Sequence, residues 1–133
     1  MKGNDAIREF TDLVKKNHLA GIDLASIVKP DGYAARIARN SGIKRTQLRK
    51  IFTEFKRVFD SYRKSKSFGE EELTSLYMLF PILEYQKNRR LLREDFVHMM
   101  EAVIESMINN PAEENVKRAE QFLTALVAYA KES

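Results

Sequence analysis

The chain has no cysteine and no tryptophan, and only two histidines, three prolines and five glycines among its 133 residues. Without cysteine there is no disulfide scaffold, no thiolate zinc site and no thiol nucleophile, a composition compatible with a reducing cytoplasm. Scarce proline and glycine leave few turns, which favours a handful of long helices over many short strands. No apolar run is long enough to cross a bilayer, and the opening Met1-Lys2-Gly3-Asn4-Asp5 has no apolar signal core. A cytoplasmic chain with no membrane partner is therefore expected. The histidines, His18 and His98, are far apart and have no helical partner at metal-ligand spacing. No glycine-rich phosphate loop, Gly-x-Ser-x-Gly elbow or His-Glu-x-x-His run occurs. This points away from an enzyme and away from any cofactor or metal. The acidic groups Glu70-Glu71-Glu72 and Glu94-Asp95 suit helix starts, where the macrodipole favours carboxylates.

Apolar residues make up 44% of the chain and charged residues 32%, enough for one compact core beneath a well-solvated surface. The net charge is only +4, but it is unevenly spread. Residues 36–66 carry 11 Lys/Arg against Glu54 and Asp60, a local charge of +9 that leaves −5 for the remainder. Residues 94–133 reverse the balance, with three basic and eight acidic side chains. One part of the molecule should attract polyanions while another meets basic neighbours.

Helical periodicity accounts for most of the chain. The spacing predicts helices over about 4–17, a short piece at Leu24–Val28, and another from Tyr33 to about Arg39. A long helix is predicted over 44–65, followed by one from Glu70 that Pro81 should kink or break, then 94–109 and about 112–131. Met99, Met100 and Met107 read as core packing. The expected fold is all-α, a compact bundle of about five to six helices in one domain, 1–133. Residues 1–30 read as an N-terminal extension.

The 44–65 helix is the most informative segment. At about 100° per residue, Leu48, Ile51, Phe52, Phe55, Val58, Phe59 and Tyr62 fall within an arc of about 120°. Arg45, Arg49, Lys50, Lys56, Arg57, Arg63 and Lys64 share about 140° of the opposite side. Charge runs are usually solvated faces with mixed signs, but here cations stack on cations, and an anionic partner offsets that repulsion. The phenylalanines point the other way, so phosphate contact is favoured over base stacking. A second basic cluster follows at Lys87, Arg89, Arg90 and Arg93.

Two competing readings are open from the residues. The Tyr33–Arg39 helix, a turn at Gly42 and the Thr46-Gln47-Leu48-Arg49-Lys50 segment can mimic a helix-turn-helix DNA-binding motif. Alternatively, the cationic face meets an acidic protein in a structural interaction module.

The stretch Gly42-Ile43-Lys44-Arg45-Thr46-Gln47-Leu48-Arg49-Lys50-Ile51-Phe52 resembles a signature of the small subunit of type III-A (Csm-type) CRISPR effector complexes, in which a Thr/Ser-x-Gln-Ile-Arg-Lys run opens a basic helix. Leu76-x-x-Leu79-x-Pro81-x-Leu83-x-Tyr85 followed by Arg89 is a second resemblance. The ending Phe122-Leu123-Thr124-Ala125-Leu126-Val127-Ala128-Tyr129-Ala130-Lys131 is a third. Together they cover about residues 33–131. Lys44 and Arg45 stand where the family often has small hydroxyl residues, so the cap of the basic helix is expected to shift to Ser41. The resemblance implies a non-catalytic helical subunit, present in several copies beside the guide-carrying backbone subunits and lining the channel for the guide RNA–target RNA duplex. Gln47, Arg49 and Lys50 match the motif as RNA-binding residues. Arg45, Lys56, Arg57 and Arg63 join them by helix geometry, and Arg89 and Arg90 form a second tier. Further partners are the other subunits of the complex and other copies of the chain, with a homodimer in isolation through exposed apolar helix faces.

Overall fold

The computed structural model describes residues 2–131, with side chains from Asp5 onward; Met1, Glu132 and Ser133 lie outside the described residues. Among the described residues seven α-helices follow one another: α1 (Lys2–Asn17), α2 (Leu24–Val28), α3 (Tyr33–Asn40), α4 (Arg45–Ser65), α5 (Glu70–Asn88), α6 (Glu94–Asn109) and α7 (Glu113–Tyr129). Five are long, and α2 and α3 are short pieces that pack on each other and on α7. The all-α bundle expected from the sequence is the fold observed.

The inward stripes read from the sequence meet in one core. Phe55 and Phe59 from α4, Phe96, Met99, Met100 and Met107 from α6, and Phe122 from α7 are essentially inaccessible to solvent. The first helix belongs to the same core. Ile7, Phe10 and Val14 are buried where α1 crosses α3 and α6, and the Phe10 ring stacks on Phe122 with centroids 4.3 Å apart. Residues 1–30 thus supply core side chains, a role that their position ahead of the family-like segment did not suggest.

Two local expectations need correction. Pro81 does not divide its helix, because α5 runs unbroken from Glu70 to Asn88. Proline lacks an N–H and its ring crowds the carbonyl four residues back, that of Tyr77, but both residues are on the exposed side of α5, away from the core. Tyr77 and Tyr85 on this helix are exposed, by 54% and 58%.

The cap of α4 is not Ser41. The Ser41 hydroxyl accepts from the Ile43 amide (3.2 Å), inside the turn after α3, where Gly42 takes the left-handed φ of 76°. Lys44 precedes α4 and makes no side-chain cap. The C-terminal segment replaces it: the Arg45 amide donates to the Lys131 carbonyl (3.1 Å) in an isolated parallel bridge between Lys44 and Lys131. A long-range backbone contact therefore satisfies an amide that a local side chain would otherwise cap.

Candidate nucleic-acid interface

α4 is wedged between α7 on one edge and α5 on the other. On the α7 edge, Arg63 Nη1 donates to Glu120 Oε1 (2.6 Å) and Arg45 Nη2 donates to the Ala130 carbonyl (2.9 Å). On the α5 edge, Gln47 donates to Gln86 Oε1 (3.0 Å) and Ser61 donates to Glu72. The α4 and α5 helices are thus antiparallel, and the C-terminal end of α5, with Arg89 and Arg90, lies at the same end as the start of α4. Arg90 lines a surface cavity with Gly42 and Ile43 and takes a left-handed φ of 63°.

These edges divide the cationic face into two rows. Arg45, Lys56 and Arg63 form the row toward α7, and all three are engaged. Arg45 also reaches the Ala128 carbonyl (3.4 Å), so its guanidinium neutralises the negative C-terminal end of α7. Lys56 lies 3.4 Å from Asp60. Asp60 also binds Arg63, and the Arg63 hydrogen bond, with help from Lys56, holds the Asp60 carboxyl below its usual value. Arg63 is raised in turn, by Glu120 first and Asp60 second. At the end of the helix Lys66 pairs with Glu113 of α7 (2.8 Å). The acidic character of the C-terminal third thus has a partner within the chain, namely the basic edge of α4.

The outward row is different. Arg49, Lys50, Arg57 and Lys64 are exposed, and none forms an ion pair or hydrogen bond through its side chain among the described residues. Thr46 and Thr53 lie between them on the helix, and the Thr53 hydroxyl donates back to the Arg49 carbonyl (2.9 Å). At about 100° per residue the four cations span about 100° of solvent-facing surface, and from Arg49 to Lys64 the strip runs for about 22 Å. Lys64 was not singled out as a site residue in the sequence, although its helical position gives it the same standing as Arg57.

Gln47 is half-buried and bonded to Gln86, so it joins α4 to α5. Arg89 stacks its guanidinium over the Tyr85 ring, 5.6 Å from the centroid, and belongs to the outer surface of α5. A helix-turn-helix protein presents the N-terminal residues of its second helix to base edges. Here Arg45 and Gln47 at that end are engaged within the protein, and the apolar face of α4 is packed along its length.

The histidines are separate from this surface. His18 Nδ1 lies 2.8 Å from the Ser106 hydroxyl, and exposed His98 lies 3.9 Å from Glu94. No group of three or more His, Asp or Glu residues suited to a metal occurs among the described residues. No described helix is long and apolar enough to cross a membrane.

The chain matches the Csm2 Type III-A family over residues 24–133. No curated protein and no solved structure matches it. The matched span holds α2 through α7, including both rows of α4 and the C-terminal segment that caps them. The chain therefore belongs to the Csm2 family and is a small subunit of type III-A CRISPR effector complexes.

Proposed function

We propose that this subunit is a non-catalytic RNA-binding element of the effector complex, which holds the phosphate backbone of the guide RNA–target RNA duplex along the outward row of α4. Four exposed cations without an internal carboxylate carry this reading. Arg49, Lys50 and Arg57 are the principal contacts, Lys64 extends the strip, and Arg90 lies at its near end. Arg45, Gln47 and Arg63 support it from behind, by fixing α4 against α7 and α5. Such a surface supplies affinity without reading bases, so sequence selection rests with guide–target pairing. The soluble surroundings of an RNA complex fit a cytoplasmic location.

Charge reversal tests the assignment. R49E/K50E and R57E should each weaken binding of a short RNA duplex by about tenfold or more at low salt, with equal loss for unrelated sequences. The slope of log K against log salt should fall by about one for each contact removed. R63E, which disturbs an internally neutralised cation, should weaken RNA binding much less. Unchanged affinity in R49E/K50E and R57E overturns the assignment, as does selective loss for one sequence.

A further inference from the structure

Two acids occur in α4, Glu54 and Asp60. At about 100° per residue Asp60 stands in the middle of the cationic face, between its two rows, while Glu54 lies about 40° beyond the outward row. Asp60 is therefore three or four residues from a cation on every side: Arg57 and Lys64 in the outward row, Lys56 and Arg63 in the row toward α7. All four are at spacings from which a carboxylate can pair on a helix. It pairs with the second two only. Arg63 Nη2 donates to its Oδ1, and its Oδ2 lies 3.4 Å from Lys56 Nζ.

The two cations that Asp60 holds are not held alike. Arg63 has a second carboxylate, Glu120 of α7, at 2.6 Å, and Glu120 is only 23% exposed. Lys56 has Asp60 alone among the described residues, in a pair whose members are 54% and 49% exposed. Exposed ion pairs add little to a fold, and α4 is already fixed by its buried apolar face and by the contacts of Gln47 and Arg63 with the flanking helices. What the Asp60 carboxylate changes is the number of cations open to an anion. A phosphate must displace it to reach Lys56, whereas Arg57 and Lys64 beside it are open at once. The Arg63 and Lys56 hydrogen bonds keep the carboxyl below its usual value, so it stays charged near neutral pH.

We infer that Asp60 sets the RNA affinity of this subunit by withholding Lys56 from phosphate, so that the contact stays one row wide. This rests on the RNA-binding reading of the outward row. Each cation that meets a phosphate adds about one to the salt slope of binding. Withholding Lys56 thus keeps the strip at four cations, and binding is weaker and less salt-dependent than the charge of the helix alone would give. Arg63 stays with Glu120 whether or not Asp60 is present, so Lys56 is the cation that Asp60 controls.

Fluorescence anisotropy of the full chain with a short RNA duplex, over a series of salt concentrations, tests this. D60N should tighten binding by about fivefold at low salt and steepen the slope of log K against log salt by about one. Its melting temperature should move by no more than about 2 °C, because the pairs it removes are exposed. In a K56Q background the same substitution should gain no more than about twofold and leave the slope unchanged. E54Q is the control for charge alone. It removes one negative charge beside the same strip, but Glu54 has no ion pair among the described residues and releases no cation, so it too should gain no more than about twofold. A D60N affinity equal to that of the wild type overturns the inference. So does an equal gain in E54Q or in the K56Q background, since the carboxylate would then act only by repelling phosphate. R49E/K50E, measured alongside, separates the two levels. If it binds as the wild type does, the RNA-binding reading fails and the inference with it; if it binds weakly while D60N gains nothing, the inference alone fails.

Discussion

Asn115 is fully buried at the start of α7, and its amide ties three segments together. Its Oδ1 accepts from the Ala20 amide (2.8 Å), and its Nδ2 donates to the Ser106 and Asn110 carbonyls (3.1 and 3.0 Å). The Ser106 hydroxyl in the same cluster reaches His18, whose left-handed backbone ends α1. N115A takes the acceptor from the part-buried Ala20 amide and the side-chain donor from the Ser106 and Asn110 carbonyls, of which Ser106 keeps the Asn110 amide at 2.8 Å. It should cost about 3 kcal/mol and lower the melting temperature by about 10 °C, read by thermal circular dichroism. Nothing in the sequence set this asparagine apart from Asn109 and Asn110 beside it, because its partners come from residues far away in the chain. Glu101 is a second case decided by neighbours. Burial, and then the hydrogen bond it shares with Glu84, raise its carboxyl above the usual glutamate value, while Lys87 first and Glu101 second lower that of Glu84. A carboxyl whose folded pKa exceeds its unfolded value holds its proton better when folded. Its contribution to stability is present at low pH and is lost as pH rises through the folded pKa. E101Q keeps a donor for Glu84 and removes that loss. Melting curves should therefore show a rise of about 2 °C at pH 7, with the two proteins converging toward pH 4.

Among the elements, α1 and α4 were read with opposite success. The boundaries of α4 and its apolar face are local properties: seven apolar positions at helical spacing make a stripe in any environment that offers a core. Splitting the opposite face into an engaged row and a free row is only partly local: Asp60 reaches Lys56 and Arg63 within α4, and the rest depends on α7. That part follows from where α7 places Glu120, Glu113 and its own C-terminal carbonyls. The helical span of α1 was equally legible, but its weight was not. Phe10 is buried against Phe122 and Tyr33, with ring centroids 4.3 and 5.4 Å away, so α1 closes the core that α3, α6 and α7 leave open. F10A should cost about 3–5 kcal/mol. Removing residues 1–23 takes away Ile7, Phe10, Val14, Leu19 and Ile22 together. Against a total stability of about 5–15 kcal/mol, the family-matched segment alone should lose its cooperative thermal transition, as calorimetry would show.

At the scale of the whole molecule, charge is distributed by surface. The net +4 conceals a basic α4 and an acidic C-terminal third. The bundle sets the two side by side, so that part of each neutralises the other and the remainder faces outward. This leaves three kinds of surface on one small bundle: an exposed cationic row on α4, an ion-paired seam between α4 and α7, and an aromatic face on α5. The first two share one helix, less than a turn apart. A charge reversal on the outward row should therefore act on RNA, whereas one on the seam should act on the bundle. The aromatic face lies on the other side of α5 from the core.

The sequence by itself determined that the chain is helical, where its helices run, which faces of α4, α6 and α7 enter the core, and that its cations concentrate on one segment. These follow from periodicity, turn chemistry and charge, which act over a few residues. Only the tertiary structure decided which cations are free, that α1 is part of the core, that α4 takes its cap from the C-terminal segment, and that α5 has an aromatic outer side. Each depends on which groups the fold brings within a few ångströms from distant positions. Hydrogen bonds and ion pairs are short-ranged, so they are settled only when the chain has closed on itself.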